Sequence, residues 1–67
     1  SITIDEAKAI ALAKVEGAND SNIVIHQDRD DGKDIYEGTI VYNGTEYEFE
    51  IDAATGNVTS WEEDRHN

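Results

Sequence analysis

From Tyr36 onward the chain alternates between apolar and polar positions. Tyr36, Gly38, Ile40 and Tyr42 share one side of a pleated strand, and Glu37, Thr39 and Val41 share the other. Asn43-Gly44 interrupts the pattern, which then resumes with Thr45, Tyr47, Phe49 and Ile51 against Glu46, Glu48 and Glu50. A two-residue type I′ turn needs positive φ at both central positions, and Asn-Gly meets that need at least cost. Such a turn fixes the register: Tyr42 faces Thr45, Ile40 faces Tyr47, Gly38 faces Phe49, and Tyr36 faces Ile51. All of these pairs fall on one side of the sheet. One face is therefore aromatic and aliphatic and the other mostly acidic, as in a half-buried antiparallel sheet. Gly38 opposite Phe49 has two readings: a gap that the ring covers, or a bulge or bend.

A second turn follows at Ala53-Ala54-Thr55-Gly56. Gly56 suits the left-handed residue that closes it. Pairing Asp52 with Asn57 brings Val58 opposite Ile51 on the buried face. Continued without interruption, that register places Ser60 on the buried face and Trp61 on the acidic one. The polar tail after Trp61 is expected to fray.

Upstream, Ile4, Ala7, Ile10, Ala11 and Val15 recur at helical spacing, with Leu12 widening the stripe. Thr3 and Glu6 have capping-box spacing, Asp5 and Glu6 suit the positive end of the helix dipole, and Gly17 is a good terminator. The alanines let this helix lie close on a sheet, and a helix of about a dozen residues must pack to persist. Ile23-Val24-Ile25-His26-Gln27 reads as a short strand, and Asp28 to Lys33 as an Asp- and Gly-rich turn. The predicted architecture is α+β: one N-terminal helix, about residues 4–16, on one face of a four-stranded antiparallel meander with strands near 23–28, 34–42, 45–52 and 57–62. The first strand is assumed to pair beside the strand that starts near Ile35.

Length bounds this picture to a single domain over residues 1–67. A core of this size rarely supplies more than ~3–5 kcal/mol. With no cysteine, neither a disulfide nor a Cys-based metal site can add to it. No apolar stretch approaches the ~20 residues of a membrane span, and no signal peptide is visible. The chain starts directly at a helix start, which reads as a domain cut from a longer protein. Charge changes the picture more. There are 16 acidic residues against 5 basic ones, a net charge of −11. That excludes the Lys/Arg clusters by which nucleic acids and anionic membranes are bound. It suits solubility or a basic protein partner.

Candidate chemistry is sparse. Aligning Gly32 with the obligatory glycine of an EF-hand loop puts Gln27, Arg29 and Gly38 at ligand positions, so the aspartates there read as turn formers. His26 and His66 have no His or Cys neighbour at ligand spacing, and His26 reads as an ordinary strand residue. Ser1, Ser21 and Ser60 lack any local nucleophile signature. No catalytic residue, cofactor or metal ligand is assigned. Two Asn-x-Thr matches, at Asn43 and Asn57, coincide with tight turns that want Asn for backbone reasons. Trp61, on the acidic face near Glu48, can join Val41 and Ile35 in an apolar strip rimmed by charge. Such a strip is a candidate protein interface; the plainer reading is local packing that closes the sheet edge.

The order of elements and several strings resemble the PepSY domain, a small module of bacterial secreted and cell-envelope proteins. The resemblance rests on ITIDEAKAIALA followed by Gly17, on Tyr36-Glu37, on Tyr47-Glu48-Phe49-Glu50, and most specifically on Ile51-Asp52-Ala53-x-Thr55-Gly56-x-Val58. Gly38 departs from the family's usual apolar residue, often Val. The resemblance implies a helix packed on an antiparallel sheet and a non-enzymatic domain, outside the cell or in its envelope. Its implied role is to restrain or regulate a peptidase by binding it. The alternative is a structural spacer or repeat unit of a larger envelope protein. Self-association through an open sheet edge is a related expectation.

Overall fold

The computed structural model describes residues 1–66. It contains one helix, α1 (Ile4–Leu12), a 3₁₀ turn (Asp20–Asn22), and four strands: β1 (Ile23–Asp30), β2 (Lys33–Tyr42), β3 (Thr45–Asp52) and β4 (Val58–Arg65). The strands form one antiparallel sheet in the order β1-β2-β3-β4, with the helix on one face.

The β2–β3 register is the predicted one, pair for pair: Tyr42↔Thr45, Ile40↔Tyr47, Gly38↔Phe49 and Tyr36↔Ile51. Asn43 and Gly44 both have positive φ, 54° and 80°, as a type I′ turn requires. The β1–β2 turn is built in the same way. Asp31 (φ 51°) and Gly32 (φ 78°) are its only two residues, so the strands run to Asp30 and from Lys33, past the ends expected for them. The pairing also resolves Gly38. Both ladders pass it without a bulge. A Cβ built there would meet the carbonyl oxygen of Val24 and lie 2.6 Å from Phe49 Cζ. The Phe49 ring lies in the space that a side chain would occupy.

Thr3 caps α1 through the expected box. Glu6 N–H donates to Thr3 Oγ1 at 3.1 Å, and Thr3 N–H donates to Glu6 Oε1 at 2.8 Å. The helix stops earlier than the apolar spacing suggests. After Leu12 the backbone tightens to i→i−3 bonds, Lys14 N–H to Ala11 O and Val15 N–H to Leu12 O, each at 3.1 Å. Gly17 then turns the chain at φ 94° under the hydroxyl of Tyr42. Ile4 faces solvent. Ile2, just before the cap, packs against the core instead, its N–H donating to Ala53 O at 2.8 Å while its carbonyl accepts from Tyr36 Oη at 2.9 Å.

The core joins Ala7, Ala11 and Val15 of the helical segment to Ile23, Tyr36, Ile40, Phe49, Ile51 and Ala53. Ile40 and Ile51 are the largest fully buried side chains. Removing Phe49 deletes both the cover over Gly38 and a large share of this small core. Phe49→Ala is expected to cost on the order of 3–5 kcal/mol, read as a collapsed urea midpoint. An unchanged midpoint would place the ring outside the core. Gly38→Val adds volume against a backbone carbonyl that cannot rotate away, and is expected to destabilise by about 1–3 kcal/mol in the same titration. A neutral result would mean that the ring over Gly38 is not fixed.

Candidate protein-binding face

The face away from the helix is uncovered. Strand alternation places nine carboxylates there: Asp28 and Asp30 on β1, Glu37 on β2, Glu46, Glu48, Glu50 and Asp52 on β3, and Glu62 and Asp64 on β4. Three acidic pairs stand directly opposite one another across strands: Glu37↔Glu50, Glu48↔Glu62 and Glu46↔Asp64. Among the described residues only Lys33 brings a Lys or Arg to this face, at its margin and paired with Asp30. Two apolar side chains are exposed among the carboxylates, Val24 (73%) and Val41 (55%). Thr39 lies opposite both Val24 and Glu48.

The four residues expected to share an interface do not lie together. Val41 and Glu48 are exposed on the acidic face as expected. Ile35 is on that face by register but only 4% exposed, lining a crevice with Lys33, Glu50, Asp52 and Thr59. It is buried apart from the main core and offers little contact surface. Trp61 is on the opposite face, and the expected placement is corrected here. The register reaches Ile51↔Val58 as anticipated and then shifts, so that Glu50 pairs with Ser60 and Phe49 with Trp61. One extra residue in β4, a β-bulge at Thr59, inverts the sidedness of everything after it. Thr59 Oγ1 anchors the bulge by donating to Glu50 Oε2 at 2.8 Å. Ser60 consequently leaves the buried face.

Trp61 stacks on Phe49 with ring centroids 5.9 Å apart, and tilts against Tyr47 at 5.6 Å. Lys14 Nζ stands 4.8 Å above its ring in a cation–π contact. The strand that carries Trp61 runs on to Arg65, and His66 N–H donates to Gly44 O at 2.8 Å, so the described part of the tail is paired rather than frayed. On the helix side Lys14 and Arg65 line a cleft of about 480 Å³ with Tyr42 and Tyr47. Two of the chain's few Lys and Arg side chains thus lie on the side away from the carboxylates.

One corner of the acidic face went unread in the sequence. His26 pairs with Glu37 across β1 and β2, and His26 Nε2 is 3.5 Å from Glu37 Oε1. Asp28, two residues along β1, projects to the same side. The Arg29 N–H, donating to Asp28 Oδ1 at 2.7 Å, holds the Asp28 carboxyl below its ordinary pKa, and a hydrogen bond shared with Glu37 adds to this. The same shared bond pushes Glu37 above its ordinary value, with partial burial and the Asp28 charge adding to the shift. The signal that could have found this corner is Asp31-Gly32. Read as a two-residue turn, it sets His26 opposite Glu37.

Among the described residues no helix is long and apolar enough to cross a membrane. No curated protein and no solved structure matches the chain. The PepSY family, described as peptidase propeptide and YPEB domain, matches residues 1–62. That span takes in the helix, the first three strands, the bulge and Trp61. With a helix on an open antiparallel meander and a family match over nearly its whole length, the chain belongs to the PepSY family of peptidase-propeptide and regulatory modules.

Proposed function

We propose that this domain is a non-catalytic binding module, acting outside the cell or in its envelope, whose acidic sheet face docks on a peptidase and restrains it. The observation that supports this reading is the set of acidic pairs directly opposed across strands, Glu37↔Glu50, Glu48↔Glu62 and Glu46↔Asp64. Like charges in direct cross-strand register are destabilising. Solubility alone is served as well by mixing both signs over the surface. A face that keeps one sign against its own stability is suited to a surface of the opposite sign, where complementary potentials speed encounter and set orientation. Val24 and Val41 supply apolar contact within the charged field. The family's description as a peptidase propeptide supplies the class of partner.

The partner surface implied is basic. Its contact with the domain weakens as salt rises, because exposed charges are screened within about 8 Å at physiological ionic strength. The test is hydrolysis of a casein substrate by the peptidases secreted by the source organism, with the purified domain added. Inhibition is expected, diminished by 0.5 M salt and lost in the Glu48→Lys/Glu62→Lys double variant, while both proteins melt alike. Undiminished hydrolysis across the accessible concentration range would remove the peptidase reading and leave the spacer role. Inhibition untouched by the double variant would move the contact to another surface.

A further inference from the structure

We infer that His26, Asp28 and Glu37 form a binding site for a divalent transition-metal ion, with zinc the best fit. This does not depend on the peptidase reading. Three ligand-capable atoms, one from each side chain, lie within 4.8 Å of one another. The construction is simple. His26 and Asp28 are two apart on an edge strand, so the pleat turns both to one face. Glu37 stands directly across from His26 on the neighbouring strand. The three Cα positions are therefore fixed by paired backbone rather than by a loop.

The imidazole separates this group from the rest of the acidic face. Carboxylates alone suit magnesium or calcium, which bind through oxygen. One imidazole with two carboxylates is a ligand set for zinc and its neighbours, leaving a fourth position to water. Tetrahedral zinc with bonds of about 2.0–2.1 Å sets its ligand atoms roughly 3.4 Å apart. The His26–Glu37 approach of 3.5 Å already meets that. The remaining closure takes a rotation of side chains that are 61% exposed at His26 and 40% at Glu37. Asp28 has one oxygen held by the Arg29 N–H, which orients its carboxylate, and the hydrogen bond it shares with Glu37 is the contact that an ion between them would replace.

A second observation is independent of this corner. The chain has two histidines, and the other one is set in the same way. His66 stands two residues from Asp64 at the far edge of the sheet, and Glu46 of the inner strand faces Asp64. His66 Nε2 is 3.3 Å from Glu46 Oε1 and 4.0 Å from Asp64 Oδ2. Both imidazoles of the chain are thus placed beside two carboxylates, on a face whose opposed acids concentrate cations. The β1–β2 pairing runs unbroken past the His26 group in both directions along the strands, and the inference is made for it.

The test is a zinc chloride titration of the 67-residue chain at pH 7, followed residue by residue in ¹H–¹⁵N NMR spectra. Saturable shifts are expected at His26, Asp28 and Glu37, with the imidazole signals of His26 moving in step and the melting temperature rising. Magnesium at the same concentration should not reproduce them. His26→Ala and Glu37→Gln, both at exposed or half-exposed positions, should each abolish the saturable response while keeping the fold. Glu62→Gln, a carboxylate of the same face outside the group, should retain it. Shifts spread evenly over the acidic face, shared by magnesium and surviving His26→Ala, would overturn the site in favour of a diffuse counterion atmosphere. Absence of any zinc response would overturn it outright.

Discussion

A β-strand has two sides, and the register of its pairing decides which side each residue takes. Every feature of this molecule follows from that constraint. Two tight turns, Asp31-Gly32 and Asn43-Gly44, hold β1, β2 and β3 in continuous pairing, so their alternation survives intact across 26 paired positions' worth of sidedness from Ile23 to Asp52 only because neither turn adds a residue out of step. The five-residue connection to β4, residues 53–57, also keeps step as far as Val58. One inserted residue at Thr59 then exchanges the two sides for the remainder of the strand. Without it, Trp61 would stand in water among glutamates and Ser60 would face the core.

The exchange has an energetic consequence. The helix lies toward β1 and β2, while Phe49 and Tyr47 extend the apolar face toward β4. Trp61 covers that margin. Its ring shields Phe49, and Phe49 in turn fills the gap at Gly38. Lys14, from the tightened turn after the helix, lays its ammonium over the indole. A short helix whose buried positions are alanines could not cover this area by itself. The aromatic series Phe49–Trp61 with Lys14 above it completes the core sideways, and the early end of α1 is what brings Lys14 and Val15 there.

The central hairpin was legible because Asn43-Gly44 is a turn signal with one dominant geometry, and the alternation on both sides of it is clean. The helix start was legible for the same reason: Thr3 and Glu6 can satisfy each other's backbone in only one arrangement. Legibility failed where a residue's role depends on a partner distant in sequence. The bulge at Thr59 leaves no signature in VTSWEE, since Thr59 reads equally well as an in-step strand residue; its hydroxyl bond to Glu50 exists only once the strands are paired. The end of β4 is illegible because its polar side chains suit a frayed tail equally well, whereas its backbone pairs with β3 whatever its side chains are. Of the residues expected at an interface, Val41 and Glu48 are where the alternation put them, Ile35 is covered, and Trp61 is on the other side. The His26 corner is hidden because its ligand spacing does not run along the chain: the fold supplies the third group across it.

The arrangement of charge bears on why this sheet has an uncovered face at all. An antiparallel sheet tolerates water on one side, and a polar face needs no special function. Threonine, lysine and glutamine would serve there, and lysine opposite glutamate would stabilise it. The chain instead sets Glu opposite Glu and Glu opposite Asp, and places Lys14 and Arg65 on the helix side, where they relieve none of that repulsion. A domain with a core this small has little stability to spare. The unfavourable term is relieved when something positive is bound to the face. A basic protein surface and a metal cation satisfy that condition at different places, the first across the broad field of β3 and β4, the second at the His26 corner, where an imidazole joins two carboxylates. They are compatible: a cation at His26 would remove part of the repulsion around Glu37 and leave the field around Glu48 and Glu62 unchanged for a larger partner.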